Sequence, residues 1–266
     1  MPHVLSNGIR LAYQRSGHGE SVLLIMGSAA AGRVWTMHQT PALVRAGYET
    51  ITFDNRGIPP SDAPPGRYSL ADMVADTHGL IKELGLGPCR VIGTSLGAMI
   101  AQELAIASPD SVRCAVLLGT RARADAFRRA HTLADRALAE SGHRPPAAHK
   151  AVMSVLQMLS PRTLDDDNAV ASWLDLFELS AGDRTAAGQA WADIVDDRRM
   201  ELRKISAPCR VIAFADDVIT PPHLCAEVAE AIPDCDLVEI PECGHLGYLE
   251  RPGEVNSAIL EFLDKN

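Results

Sequence analysis

Apolar and polar residues alternate through Ile9-Arg10-Leu11-Ala12-Tyr13-Gln14-Arg15, the period of a half-exposed strand. Asn7-Gly8 just before them is a hairpin turn signal. Val22-Leu23-Leu24-Ile25-Met26 is instead apolar throughout, as suits a central strand covered on both faces. It runs into Gly27-Ser28-Ala29-Ala30-Ala31-Gly32, a loop of small residues ahead of Trp35, where a backbone can approach a ligand closely. Residues 48–54 predict another strand, and the Gly- and Pro-containing stretch from Asn55 to Asp62 a loop. Ser69 can cap a helix, with Asp72 three residues on. Leu70, Met73, Val74, Leu80, Ile81 and Leu84 recur there at helical spacing, and Gly85 and Gly87 stop the helix. The run from Cys89 to Ala101 reads as a short buried strand, a tight turn and a helix apolar on nearly every side. Val112 to Leu118 is again a strand.

The rhythm changes at Thr120. Residues 121 to about 204 lack a clear strand and look like four helical pieces, broken near Pro145-Pro146, Ser160-Pro161 and Gly182-Asp183. They carry Phe127, Met153, Met158, Trp173, Phe177 and Trp191. Near 208 the strand rhythm resumes with Cys209 to Phe214. A helix follows with Thr220 as cap, Pro221 at its first position, and Cys225, Val228, Ala229 and Ile232 on one face. A last strand covers Asp236 to Ile240, and a closing helix from near Pro252 buries Val255, Ile259, Phe262 and Leu263. Strands alternating with helices predict an α/β chain with a mostly parallel sheet flanked by helices. The expected division is a core of residues 1–120 and 205–266, with 121–204 an inserted helical cap, or lid, over one end.

Composition narrows the partners. The chain has 266 residues, is 47% hydrophobic and carries a formal charge of −9 with no basic run. A nucleic acid or an anionic membrane is therefore not the expected partner. No apolar run approaches the roughly 20 residues of a membrane helix, and Met1-Pro2-His3-Val4 lacks the charged leader of a secretory signal. The six cysteines form no C-x-x-C, which points to free buried thiols and a cytoplasmic protein; Cys243 alone lies near the candidate chemistry. With no H-E-x-x-H spacing and no dinucleotide fingerprint, neither a metal nor an organic cofactor is expected. The expected partner is a small-molecule substrate, and oligomeric state is not legible in the residues.

Gly93-Thr94-Ser95-Leu96-Gly97 is a G-x-S-x-G in the context that gives the motif meaning, a strand before it and a helix after it. The two glycines let strand and helix pass almost in contact, leaving Ser95 at the apex with a helix N-terminus behind it. A serine hydroxyl needs a base, and the base a third group to orient it. In this architecture the acid and then the histidine follow the serine along the chain. His245, in Cys243-Gly244-His245-Leu246-Gly247 between the last strand and last helix, is the candidate base; His223, at a helix start, reads as an exposed polar residue. Asp216 or Asp217, in the turn after the 209–214 strand, could be the acid. For the developing oxyanion the candidate donors are the amides of Leu96 and Ser28. Gly27, Ala29, Trp35, Ile219 and Leu246 are the expected pocket walls.

Over essentially its whole length the chain resembles an α/β-hydrolase with a helical cap, which implies an eight-stranded, mostly parallel sheet. Gly93 to Gly97 matches the nucleophile elbow, Gly244-His245 the histidine loop, and Asp54-Asn55-Arg56-Gly57 with Ser61-Asp62 the D-x-R-G-x-G-x-S loop, with Pro59 at a family glycine position. The G-x-x-D-x-x-x-P acid pattern fits Phe214 to Pro221 with Phe214 in place of glycine, which favours Asp217 over Asp216. Met26-Gly27-Ser28 stands at the family's His-Gly oxyanion motif, which supports Ser28 by position. The chain is similar to small-molecule esterases such as anthracycline methylesterases and enol-lactone hydrolases.

The resemblance implies a serine hydrolase of an ester, thioester or lactone of a small, largely apolar molecule, working through an acyl-enzyme on Ser95. The insert's aromatic and Met residues point to an apolar pocket, or equally to the insert's own core. The same triad also serves carbon–carbon hydrolases, lyases or cyclases, acyl transferases and cofactor-free perhydrolases. A non-catalytic receptor of this fold is a third reading, against which the intact Ser95, Asp217 and His245 argue. Haloalkane dehalogenases and epoxide hydrolases carry aspartate where this chain has Ser95.

Overall fold

Strands that are buried on both faces build the centre of the molecule. The computed structural model describes residues 1–180, 185–193 and 196–266. Strands β1 (His3–Ser6), β2 (Ile9–Ser16), β3 (Ser21–Ile25), β4 (Glu49–Phe53), β5 (Cys89–Thr94), β6 (Val112–Leu118), β7 (Cys209–Phe214) and β8 (Cys235–Ile240) form one sheet in the order β1-β2-β4-β3-β5-β6-β7-β8. β2 is antiparallel to β1 and β4, and all other pairs are parallel. β1, not distinguished in the sequence pattern, joins β2 through Asn7-Gly8, whose φ values of 48° and 78° are those a tight hairpin needs.

Helices α1 (Gln39–Arg45), α2 (Leu70–Glu83) and α3 (Leu96–Ala107) precede β6, and α9 (Pro222–Ala231), α10 (Gly247–Glu250) and α11 (Pro252–Leu263) follow β7. Successive strand residues point to opposite faces. Val91 joins the layer of Met73 in α2, Leu104 in α3 and Val228 in α9, whereas Ile92 joins that of Leu43 in α1 and Ile259 in α11. Ser69 and Asp72 form the expected reciprocal cap of α2. α9 begins one residue later than its sequence signals imply, with Pro221 as N-cap, because the Thr220 hydroxyl donates instead to Asp217 at 2.7 Å.

Between β6 and β7 lie α4 (Ala126–Ser141), α5 (Ala147–Met158), α6 (Pro161–Leu164), α7 (Asp167–Ser180), a 3-10 segment (Thr185–Trp191) and α8 (Arg199–Leu202), with no strand among the described residues. The breaks at Pro145-Pro146 and Ser160-Pro161 stand where expected, and Gly182-Asp183 lie outside the described residues. There are more pieces than four because α6 and α8 are single turns, too short to show a period. The short α1 went unmarked for the same reason.

Sheet order creates the place for a site. The chain leaves β3 toward β4 on one side, whereas β5, on the other side of β3, leads on to β6. Connections that diverge this way open a crevice at the strands' carboxyl ends. The small-residue loop after β3 and the turn holding Ser95 after β5 both open onto it.

Candidate active site

Ser95 occupies a backbone conformation that L-residues rarely adopt, φ 54° and ψ −120°. Its neighbours enforce this. A Cβ on Gly93 would collide with the Gly97 carbonyl, and one on Gly97 with the Ile25 carbonyl. The Ser95 amide donates to Leu118 O at 2.9 Å, and its carbonyl accepts the first bonds of α3, from Ala98 and Met99. The strain is held by β3, β6 and α3 together.

The loop after β8 brings His245, 5% exposed, over this serine: Nε2 lies 3.0 Å from Ser95 Oγ. On its other side Nδ1 lies 2.7 Å from Asp217 Oδ2. Between the two aspartates the geometry is one-sided, because no hydrogen bond joins Asp216 to His245. Asp217 Oδ1 accepts from the amides of Ile219 at 2.7 Å and Thr220 at 2.9 Å, so one carboxylate oxygen fixes the turn while the other faces the imidazole. Burial disfavours the Asp217 carboxylate, but the charge on His245 and bonds from His245 and Thr220 outweigh it and hold the carboxyl below its ordinary range. Hydroxyl, imidazole and carboxylate so linked can move a proton from Oγ to Nε2 while the carboxylate stabilises the imidazolium. His223 is exposed, as expected.

Phe214, at the family's glycine position, is fully buried, and its ring fills the space a side chain on Gly247 would need. Met26, at the family's histidine position, packs under Tyr248, whose hydroxyl lies 3.8 Å from Met26 Sδ. Cys243 takes no part: its thiol is buried, donates to Ile240 O, and is pushed by burial up to about 12.

Of the two amides expected to be oxyanion donors, that of Leu96 begins α3 and so has no partner within the helix. A Cβ on Gly27 would stand 3.2 Å from Ser95 Cβ, which puts the loop after β3 directly beside the hydroxyl. Ser28 and Ala29 are exposed, and Ala29 has φ 57°. Below the loop, Asn55 Nδ2 donates to Met26 O at 3.0 Å and Gly32 N to Asp54 Oδ1 at 2.7 Å. Ile219 and Leu246 are half-buried beside Asp217 and His245. Trp35 is a correction. It has no exposed surface and packs 5.2 Å from the Tyr248 ring, so it belongs to the core, not to a pocket wall.

Contacts from the insert reach the loops after β3, β7 and β8. Arg128 in α4 donates to Val218 O and, at 3.2 Å, to Ile219 O. Leu246 N donates to Met158 O at 3.0 Å. Glu250 Oε1 accepts from Ser160 N at 3.0 Å and from Ser160 Oγ at 2.8 Å. Gln189 Oε1 accepts from Ala29 N at 2.8 Å, and its Nε2 donates to Arg56 O at 2.8 Å. Glu250 and Gln189 carried no motif, and only their partners reveal them. Of the insert's aromatic residues, Phe127 is exposed, Trp173 stacks on Phe177 within α7, and Trp191 lies under Arg67. Among the described residues, no group of three or more His, Cys, Asp or Glu could hold a metal ion, and no helix is long and apolar enough to cross a membrane.

A family model described as the alpha/beta hydrolase fold matches residues 20–252. The chain belongs to the α/β-hydrolase family. It is 44% identical to a Mycobacterium tuberculosis protein provisionally assigned as a non-heme bromoperoxidase, BpoC, over 96% of this chain and 97% of that one. The crystal structure of BpoC superimposes with a TM-score of 0.92, at 42% identity and covering 96% of each chain. 3-Oxoadipate enol-lactonase 2 of Acinetobacter baylyi is 26% identical over 94% of this hydrolase and 92% of its own length. A thermophilic esterase of Thermogutta terrifontis, solved with malate bound, is 28% identical with a TM-score of 0.87, covering 99% and 98%. The chain is thus an enzyme of the hydrolase class, with an eight-stranded, mostly parallel sheet flanked by helices.

Proposed function

We propose that this hydrolase cleaves a carboxylic ester, thioester or lactone of a small, largely apolar molecule through an acyl-enzyme on Ser95. The hydrogen-bonded line from Ser95 Oγ through His245 to Asp217, at 3.0 Å and 2.7 Å, carries the reading. Ser95 Oγ attacks the carbonyl carbon as His245 Nε2 takes its proton. The amides of Leu96 and Ser28 receive the charge that develops on the carbonyl oxygen. His245 returns the proton to the leaving alcohol, thiol or enol, then takes one from water, which attacks the acyl carbon and frees Ser95. Asp217 holds the imidazole tautomer throughout. Residues 121–204 act as a cap over the crevice, and the half-buried Ile219 and Leu246 support an apolar substrate. Six free cysteines, five of them buried, support a cytoplasmic setting.

The test is labelling with a fluorophosphonate and turnover of a panel of p-nitrophenyl esters and lactones. The expected result is one adduct, on Ser95, and loss of both label and turnover in Ser95→Ala. An adduct elsewhere, or turnover that survives Ser95→Ala, overturns the reading.

The likeness to BpoC favours a second reading on the same residues. Hydrogen peroxide in place of water would attack the acyl-enzyme, releasing a peroxy acid that oxidises bromide to hypobromite as it reverts to the acid. Bromination of a dye that requires acetate, peroxide and Ser95 together would establish it.

A further inference from the structure

We propose that Gln189, carried by the insert, is a positioning residue for the oxyanion hole: its carboxamide fixes Ala29 and thereby aims the amide of Ser28 at the reacting carbonyl. The inference rests on the acyl-enzyme reading of Ser95.

The Gln189 side chain is a buried polar group, 3% exposed, in a place where every polar atom must find a partner. Its two ends are committed in opposite directions. Oε1 accepts from the Ala29 amide at 2.8 Å, with the Ser28 hydroxyl at 3.4 Å, and Nε2 donates to the Arg56 carbonyl at 2.8 Å. The carboxamide therefore bridges the loop after β3 to the loop after β4, above the bonds that Asp54 and Asn55 make from below. Of these grips only the upper one comes from the insert.

The grip matters because Ala29 is left-handed, with φ 57°, a conformation that a non-glycine residue rarely adopts. Relaxation of Ala29 to negative φ would rotate the peptide units around it, and the Ser28 amide would turn with them. That amide donates to no acceptor among the described residues, as a donor kept for a ligand must. Gln189 supplies what the strained loop lacks, an acceptor placed for the left-handed form. The Gln189 backbone is itself held. Tyr68 N donates to Gly188 O at 2.9 Å, a Cβ on Gly188 would stand 2.7 Å from the Tyr68 ring, and Arg67 lies 4.9 Å from the Trp191 ring. The small residue at 188 lets the 3-10 segment come close enough for the carboxamide to reach Ala29.

Gln189→Met keeps the length of the side chain and removes both bonds. Gln189→Glu keeps the volume and the acceptor but, when ionised, cannot donate to Arg56 O. In Gln189→Met, kcat on an ester is expected to fall about 10- to 100-fold, the scale of a misaimed oxyanion donor, with KM within about twofold. Gln189→Glu should fall between this variant and wild type. Affinity for a trifluoromethyl ketone, whose tetrahedral adduct carries the oxyanion, should fall by the same factor as kcat. Affinity for the corresponding neutral alcohol should not change. Equal losses for ketone and alcohol, a change in KM alone, or unchanged kinetics in both variants would overturn the inference. Hydrogen exchange of the Ala29 amide in the wild-type protein is a readout that needs no variant: protection supports the bridge, and exchange at the rate of an open loop overturns it. If the wild-type enzyme takes no phosphonate on Ser95, it is the acyl-enzyme reading that fails; if wild type is labelled and turns over while both variants match it, only the role of Gln189 does.

Discussion

The amide of Gly244 donates to Glu250 Oε2 at 2.7 Å, so the residue before His245 is fixed by a carboxylate whose other oxygen holds the insert at Ser160. A Cβ on Gly244 would lie 2.7 Å from Met158 O, leaving no room for any larger residue between loop and insert. Glu250→Ala is expected to destabilise the fold by about 1–3 kcal/mol, since it orphans several donors at once. A chemical melt monitored by fluorescence measures the loss, and kcat should fall with it as the imidazole loses its seat.

Gly97→Ala should be worse tolerated than an alanine at Gly253. The first would drive a methyl into the Ile25 carbonyl, whereas nothing lies within 4 Å of the second. The expected cost at Gly97 is about 3 kcal/mol or more, against under about 1 kcal/mol at Gly253. Soluble yield and midpoint of thermal unfolding compare the two.

Asp217→Asn keeps the shape of the site but offers His245 a group that no longer fixes the needed tautomer. A loss in kcat of about 10⁴ is expected, read in steady-state hydrolysis. The same substitution tests the titration of the carboxyl. Because the folded protein holds Asp217 below its ordinary range, its ionisation stabilises the fold above that range, and this contribution is lost as pH falls through the lowered value. The difference in melting temperature between wild type and Asp217→Asn should therefore be largest near neutrality and shrink on acidification below the usual carboxylate range.

Five of the six thiols are buried, and Cys235, the sixth, is pushed by burial up to about 12. Iodoacetamide at neutral pH should leave the native enzyme unlabelled and fully active, and denaturant should make all six reactive. Rapid inactivation of the native enzyme would contradict this burial.

Arg56 and Asp76 form a buried pair, with bonds of 2.5 Å and 2.6 Å, joining the loop after β4 to α2. Removing one partner leaves the other charge buried alone, so Asp76→Ala should cost about 3–5 kcal/mol. Equilibrium denaturation measures it.

Much of this molecule was legible from residues that do one thing wherever they occur. The glycines at 93 and 97 announce a close crossing, the unbroken apolar run at 22–26 a strand covered twice, and Ser69 with Asp72 a helix start. The meeting of Ser95, His245 and Asp217 was legible because backbone geometry ties the elbow and the histidine loop to fixed strand ends. Trp35 misled because an aromatic residue after a small-residue loop fits a pocket wall and a core equally well, and only its packing against Tyr248 decides. Gln189 and Glu250 could not be read at all. Their chemistry depends on partners 160 and 90 residues away, and nothing in their own surroundings marks them.

The insert touches the core at Ala29, Ile219, Gly244 and Leu246, which lie on three loops, those after β3, β7 and β8. Chimeras that graft a foreign insert onto this sheet would disturb those three loops too. The graft would have to bring its own counterparts of Arg128, Met158, Ser160 and Gln189, or the barrel of the lock would change with the key.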